Sequence, residues 1–218
     1  MNIGEALRDA ATLGGFFAIR VGGDTNGWIP VRRCYAVGCH DLVEATAAGY
    51  ATTDLRIGAS LVQFSHASRL WSPLLVTALA HGVVPDLDCL QRRDTATELR
   101  LPTPAGHPAA VGDALVEQLY RLVVEDHLEQ LSAGLRVKMA PRLLYGNAAA
   151  ALVAAARQLA ETRPHLRPAV LAVTESLLAT GELVGTGELT GPHFRRRSCC
   201  LIYRVPGGSY CGDCALGQ

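Results

Sequence analysis

The sequence has no excess of either charge: 20 Lys and Arg stand against 20 Asp and Glu in 218 residues. That balance excludes a global field drawing the chain toward nucleic acid or anionic lipid. The marks of export are missing too. The N-terminus, MNIGEALRDAATLGGFF, meets Glu5, Arg8 and Asp9 before any apolar run, unlike the basic and then apolar start of a signal peptide. No run is apolar enough for an integral membrane segment. The longest weakly charged stretch, Ile57 to Val84, is interrupted by His66, Arg69 and Pro73 and reads as a buried helix or helix pair. Gly-x-Gly-x-x-Gly and P-loop patterns are absent, as are internal repeats and linkers. What is there is a chain of folded-protein composition, 49% hydrophobic and 18% charged, long enough to bury a sizeable core. With no exit signal the expected compartment is the cytoplasm, where thiols stay reduced. Clustered cysteines there point to metal or redox chemistry rather than a disulfide staple.

The patterning predicts an α+β protein, mainly α. A short helix is expected over Asn2 to Leu13, and strand-like pieces at Phe16–Val21 and Trp28–Tyr35 around the turn GGDTNG. Asp41 to Ala51 reads as a helix capped by Asp41, and Arg56 to Gly82 as a helix bent or broken near Pro73. LDCLQRR and TELRLP suggest a hairpin, with TPAGHP as a loop beyond it. From Gly112 the spacing is strongly helical. PRLLYGNAAAALVAAARQLAETRP follows as a second helix opened by Pro141, and RPAVLAVTESLLATGEL as a third, capped by Gly181. The expected organisation is a helical body, residues 1–190, and a cysteine-bearing tail, residues 191–218, forming one compact unit.

Four of the seven cysteines fall within sixteen residues of the tail, CCLIYRVPGGSYCGDC. Leu201, Tyr203 and Val205 alternate with Ile202 and Arg204 as in a short strand. Pro206-Gly207 carries the residue types of a type II turn. The expected hairpin returns Cys211 and Cys214 toward Cys199 and Cys200. Zinc is usually gripped by paired Cys-x2-Cys knuckles, whereas one half here is Cys-Cys. Adjacent side chains on extended backbone diverge, which hinders convergence on one ion and suits a two-iron cluster whose ligands are spread over two metals. Zinc, or structural or redox thiols, remain open on spacing alone. Arg195, Arg196, Arg197 and Arg204 surround the cysteines; cations there would raise the potential of an anionic cluster and attract an acidic donor or anionic substrate.

Cys-Cys-x10-Cys-x2-Cys near the C-terminus, preceded by basic residues and containing Tyr203 and Pro206-Gly207, resembles the FhuF-like ferric-siderophore reductases. RIGASLVQFSHASRLWSPLLVTALAHG and PRLLYGNAAAALVAAARQLA are similar to that family's Pro-Leu-Leu and Gly-Asn-x-Ala helices. The resemblance implies a [2Fe–2S] cluster on Cys199, Cys200, Cys211 and Cys214 and one-electron reduction of siderophore-bound Fe(III), with no catalytic residue beyond the cluster. It favours a hydroxamate-type ferric siderophore and an external donor such as a ferredoxin or flavin reductase. Arg195, Arg196, Arg197 and Arg204 would be docking residues. The alternatives are an iron–sulfur electron carrier or sensor, and a zinc-stabilised siderophore-binding protein. Cys34 and Cys39 read as structural or incidental thiols, Cys89 as a buried small residue, His193 as no ligand, and Trp28 and Trp71 as core or rim residues.

Overall fold

Two long helices, α4 (Leu55–His81) and α7 (Pro141–Thr162), pack against each other at the centre of the computed structural model, which describes residues 2–191 and 193–217. Met1, Pro192 and Gln218 fall inside the two expected units but lie outside the described residues. Leu70, Trp71, Leu74 and Leu75 of α4 are fully buried, and Ala148, Ala149, Ala151 and Leu152 of α7 join them in one apolar cluster. Each such leucine contributes about 1.5–3 kcal/mol of burial. The alanines let the backbones approach closely enough for α4 side chains to reach α7 carbonyls. Trp71 Nε1 donates to Ala148 O (3.1 Å) and Gln63 Nε2 to Leu144 O (3.1 Å).

Asp54 caps α4 by accepting from the Arg56 amide. The helix runs without a break through Pro73, against expectation. Proline costs α4 one backbone hydrogen bond, but the apolar residues flanking it are buried, so tertiary packing outweighs local propensity. Around this pair lie α1 (Ile3–Ala11), α3 (His40–Gly49), α8 (Arg167–Leu178) and a helix beginning with α5 (Asp113–Tyr120). The last continues as a π-helix over Arg121–Glu129 and finishes as α6 (Gln130–Gly134). The expected cap at Gly181 is displaced: α8 ends at Leu178, and Gly181 begins a separate turn whose Glu182 amide donates to the Tyr120 hydroxyl.

A small four-stranded sheet has the order β1-β5-β4-β2, formed by Ile19–Val21 (β1), Leu99–Leu101 (β5), Gln91–Arg93 (β4) and Trp28–Pro30 (β2). β4 and β5 are antiparallel, as the LDCLQRR and TELRLP segments predict, while β1 runs parallel to β5. Part of the expected TPAGHP loop is a strand, β6 (Gly106–Pro108), paired with β3 (Val83–Pro85). The expected strand over Trp28–Tyr35 stops at Pro30. Val31–Ala36 is a helix, α2, because Val31, Cys34 and Tyr35 at helical spacing bury one face. Asp41 does not cap α3: Cys39 holds the cap position in the left-handed region (φ 46°), and Asp41 pairs with Arg92 instead. Cys34 and Cys39, expected as structural or incidental thiols, are joined to each other as a disulfide, and Cys89 is exposed rather than buried. Trp71 is a core residue, as expected. Among the described residues no helix is long and apolar enough to cross a membrane.

Candidate metal centre

An antiparallel hairpin, β7 (Gly187–Thr190) with β8 (His193–Arg196), delivers the chain to the cysteine segment. Two backbone bonds hold its exit: Arg196 N–H to Asp213 O (3.0 Å) and Arg197 N–H to Thr186 O (2.8 Å). The next residues are not the expected strand. Leu201 takes φ 71°, its amide donates to Cys199 Sγ (3.3 Å), and Ile202–Arg204 forms a 3₁₀ turn. The Pro-Gly turn does appear: Gly207 has φ 70° and the Gly208 amide donates to Val205 O (2.8 Å). Chain reversal therefore comes from turns alone, with Tyr203 and Tyr210 stacked obliquely across the two arms at 5.9 Å.

All four tail cysteines are free thiols, and Cys200 Sγ lies 3.5 Å from Cys211 Sγ. Two thiolates bound tetrahedrally at ~2.3 Å to one metal stand roughly 3.7 Å apart, so this pair already has the spacing of ligands on a shared ion. Cys214 is buried and receives the Leu216 amide on its sulfur (3.3 Å). Among the described residues no three His, Cys, Asp or Glu side chains converge on a single ion. A two-iron cluster requires no such convergence, since each iron takes two thiolates. Burial pushes the Cys199 thiol up, and burial, then the Asp213 charge and Cys200, push Cys211 well above the ordinary thiol range. Metal binding at these sulfurs must therefore displace protons.

The cysteine segment is fastened to the body by a buried polar chain. Ser60 Oγ on α4 donates to Cys200 O (2.8 Å); Asn147 Nδ2 on α7 donates to Ser60 O (3.0 Å) and Oγ (3.1 Å). Arg196 donates to Asn147 Oδ1, and its Nε stands 3.6 Å from Asp213 Oδ2, between Cys211 and Cys214. Three buried polar atoms beside the cysteines lack hydrogen-bond partners: Arg196 Nε, Ser198 Oγ and Asp213 Oδ2. Two of these can donate, and orphaned buried donors are costly unless an acceptor completes them. Soft thiolates with spare donors around them suit an anionic iron–sulfur group.

The four arginines divide. Arg196 is 3% exposed and faces inward, so it cannot meet a docking partner, contrary to the expectation for it. Arg195 is exposed and donates to Gly217 O (3.1 Å), Arg197 pairs with Glu188 (2.8 Å), and Arg204 stands 3.5 Å from Asp54. Beside the cysteine loop opens a cavity of about 210 Å³ lined by Arg157, His193, Phe194, Gly212 and Asp213, among others. Ser60, Asn147 and Asp213 carry no readable signal as isolated residues. Only the Gly-Asn pair in α7 hinted at them, and its reason is now visible: a Cβ at Gly146 would overlap the Ser198 hydroxyl.

A second buried cluster also escaped sequence reasoning. The Tyr35 hydroxyl meets His66 Nε2 (2.5 Å) and His127 Nδ1 (2.8 Å). A phenol donates once, so one imidazole must present its own N–H. Burial lowers His66 to about 3 and His127 to about 4, leaving both neutral.

Comparison with known families places a name on the tail. Residues 196–216 match the FhuF 2Fe-2S C-terminal domain, a span that contains all four tail cysteines. No curated protein matches the chain. The C-terminal segment is thus similar to the FhuF 2Fe-2S domain, and its cofactor is a [2Fe–2S] cluster.

Proposed function

We propose that this protein is a cytoplasmic ferric-siderophore reductase whose cluster is held by Cys199, Cys200, Cys211 and Cys214. The observation that carries the reading is the Cys200–Cys211 pair at ligand spacing, with Cys199 and Cys214 also free thiols, inside the segment that matches the FhuF domain. Cys200 and Cys211, 3.5 Å apart, would act as one pair of ligands, and Cys199 and Cys214 would complete the set. When bound, the cluster supplies single electrons at a site near the protein surface.

The residues of the chain perform the remaining tasks. Ser60, Asn147 and Arg196 hold the cysteine segment on α4 and α7. Asp213 offsets the buried Arg196 charge. Arg157 and His193 line the cavity that reaches Gly212 and Asp213, which gives a ferric complex an approach within a few residues of Cys211 and Cys214. Exposed Arg195, Arg197 and Arg204 add positive charge around the same end and attract an acidic donor protein or an anionic siderophore. The substrate is a siderophore of hydroxamate type, whose oxygens bind Fe(II) much less tightly than Fe(III), so one electron releases the metal without breaking the ligand. Reducing equivalents come from outside, from a ferredoxin or a flavin reductase.

Anaerobic purification with iron, zinc and sulfide assays tests this directly. The expected result is two irons and two sulfides per chain, with an EPR signal after reduction that a ferric hydroxamate siderophore erases. Zinc without sulfide, or a reduced signal indifferent to every ferric siderophore offered, overturns the reading.

A further inference from the structure

The Cys34–Cys39 disulfide lies outside the cysteine tail, and its surroundings do not suit a staple. Cys34 is in the last turn of α2 and Cys39 just beyond it. The Cys39 amide donates to Cys34 O (2.8 Å) and the Gly38 amide to Tyr35 O (2.8 Å), with Gly38 at φ 62°. This paired closure of a helix end already brings the two residues together through the backbone. A cross-link gains stability by closing a long loop, and this one spans a sequence separation of 5 that is closed without it.

Arg92 supplies the second observation. The residue is 5% exposed, and its Nε lies 2.9 Å from Cys34 Sγ. The remaining donors fix it in place: Asp41 Oδ2 at 2.5 Å, Arg93 O at 2.7 Å and Asp94 O at 2.8 Å. A disulfide sulfur is a weak acceptor, whereas a thiolate beside a guanidinium forms a charge-assisted bond of about twice the ordinary strength. A buried arginine aimed at a cysteine sulfur is thus complementary to the reduced, ionised residue. Third, Cys34, Cys39, Tyr35, His66 and Arg92 help line a cavity of about 20 Å³. That volume admits nothing larger than a water, but it gives two sulfurs room to move apart without displacing the core.

We propose that Cys34 and Cys39 form a reversible thiol–disulfide centre, separate from the tail cysteines, with Cys34 held as the Arg92-paired thiolate in the reduced state. The reductant is a small thiol or dithiol. Its thiolate attacks Cys39 Sγ, because Cys34 is the better leaving group when Arg92 receives the departing sulfur. The Cys34–Cys39 bond breaks and a mixed disulfide forms at Cys39. A second thiol then releases Cys39. In sum, a dithiol and the protein disulfide yield an oxidised dithiol, the Cys34 thiolate, the Cys39 thiol and one proton to solvent. Both sulfurs are buried, so exchange proceeds through local opening of the turn at 36–40.

The experiment uses the full chain with its cluster, held anaerobically in glutathione and then dithiothreitol redox buffers, quenched in acid, alkylated and read by peptide mass. A reversible two-electron transition between disulfide and dithiol is expected, with helical circular dichroism and the visible absorption unchanged. Exposed Cys89, alkylated throughout, serves as the internal standard. Arg92→Gln should shift the equilibrium about tenfold or more toward the disulfide, the loss expected for one hydrogen bond to a charged group, while Arg92→Lys shifts it less. A pair that reduces only in denaturant is a staple and overturns the proposal. A dithiol that never oxidises overturns it as well, and so does a folded Arg92→Gln protein with an unchanged ratio. The wild-type titration decides even if both Arg92 variants fail to fold.

Discussion

Asn147 stands between Ser60 and Arg196, giving its amide hydrogens to one and its carbonyl oxygen to the other. Through it, α4 and α7 reach the loop that carries Cys200 and Asp213. Asn147→Ala strands the buried Arg196 guanidinium, which costs about 1–3 kcal/mol, and removes a second donor from the Ser60 carbonyl, which keeps its helical partner. The cysteine segment should loosen before the body does. Iron loss to a chelator, followed by visible absorption, should quicken at least tenfold, with thermal unfolding lowered only modestly. Asn147→Asp keeps an acceptor for Arg196 but none of the donors for Ser60, and should fall between the two. Unaltered iron release in Asn147→Ala would falsify the clamp.

Arginines adjacent in sequence should behave differently because they point in different directions. Replacing Arg195, Arg197 and Arg204 with Gln removes exposed charge only. Ferric-siderophore reduction should slow about tenfold at low salt, and the difference should vanish as added salt screens the field. Arg196→Gln should act on the cluster itself: a buried cation is lost, so the reduced form is disfavoured and the potential falls, at every salt concentration. Potentiometric titration separates the two classes. Identical, salt-dependent effects from both sets would remove the distinction drawn from burial.

Acid should weaken the fold through His127 and its buried neighbour His66. The His127 side chain is 1% exposed and burial holds it near 4, while the unfolded chain titrates near 6.5. Between those values the unfolded state binds the extra proton. The stability His127 contributes is therefore complete above about pH 6.5 and drains as pH falls toward 4, by about 1.4 kcal/mol per unit at the steepest for this one group. Urea midpoints measured on metal-free protein at pH 7.5, 6.0 and 5.0 should show this decline. His127→Asn, which retains a polar atom near the Tyr35 hydroxyl, should remove about half of it, because buried His66, held near 3, contributes a like slope. Parallel curves for the two proteins would show that His127 is not the group responsible.

Much of this was legible because some signals are local. Pro141 opens α7, Gly207 turns the tail, and the apolar spacing after Gly112 sets a long helix, each by residue chemistry acting over a few positions. The tail thiols were legible from spacing. Misreadings arose where tertiary contacts override local preference. Val31–Ala36 has strand-forming content but buries a helical face against α6. At their closest approach a Cβ on Gly134 would collide with the Tyr35 carbonyl. The α4 helix ignores Pro73 because its neighbours are buried. Asn147, Ser60 and Arg196 lie far apart in the chain and meet only in the fold, so no linear pattern marks them as partners. Arg196 looks like its neighbours in the run Arg195–Arg197, yet strand alternation in β8 turns it inward, a distinction available only once the hairpin register is known.

Metal removal should separate the tail from the body. Cys200 and Cys214 are buried yet stand outside the main apolar cluster, which is built from α4, α7 and the helices around them. The helical core therefore owes little to the cluster. In Cys200→Ser, iron and sulfide should be lost while far-ultraviolet circular dichroism stays within a few per cent of wild type. Hydrogen exchange should accelerate over residues 197–216 and remain slow in α4 and α7, since only the former depend on thiolate ligation for their shape. Ser60 is one of the places where the two regions meet, through its bond to Cys200 O, so α4 near Ser60 should show a small intermediate response. Global loss of helical signal in Cys200→Ser would sink this picture, because it would make cluster assembly a condition for folding the whole chain.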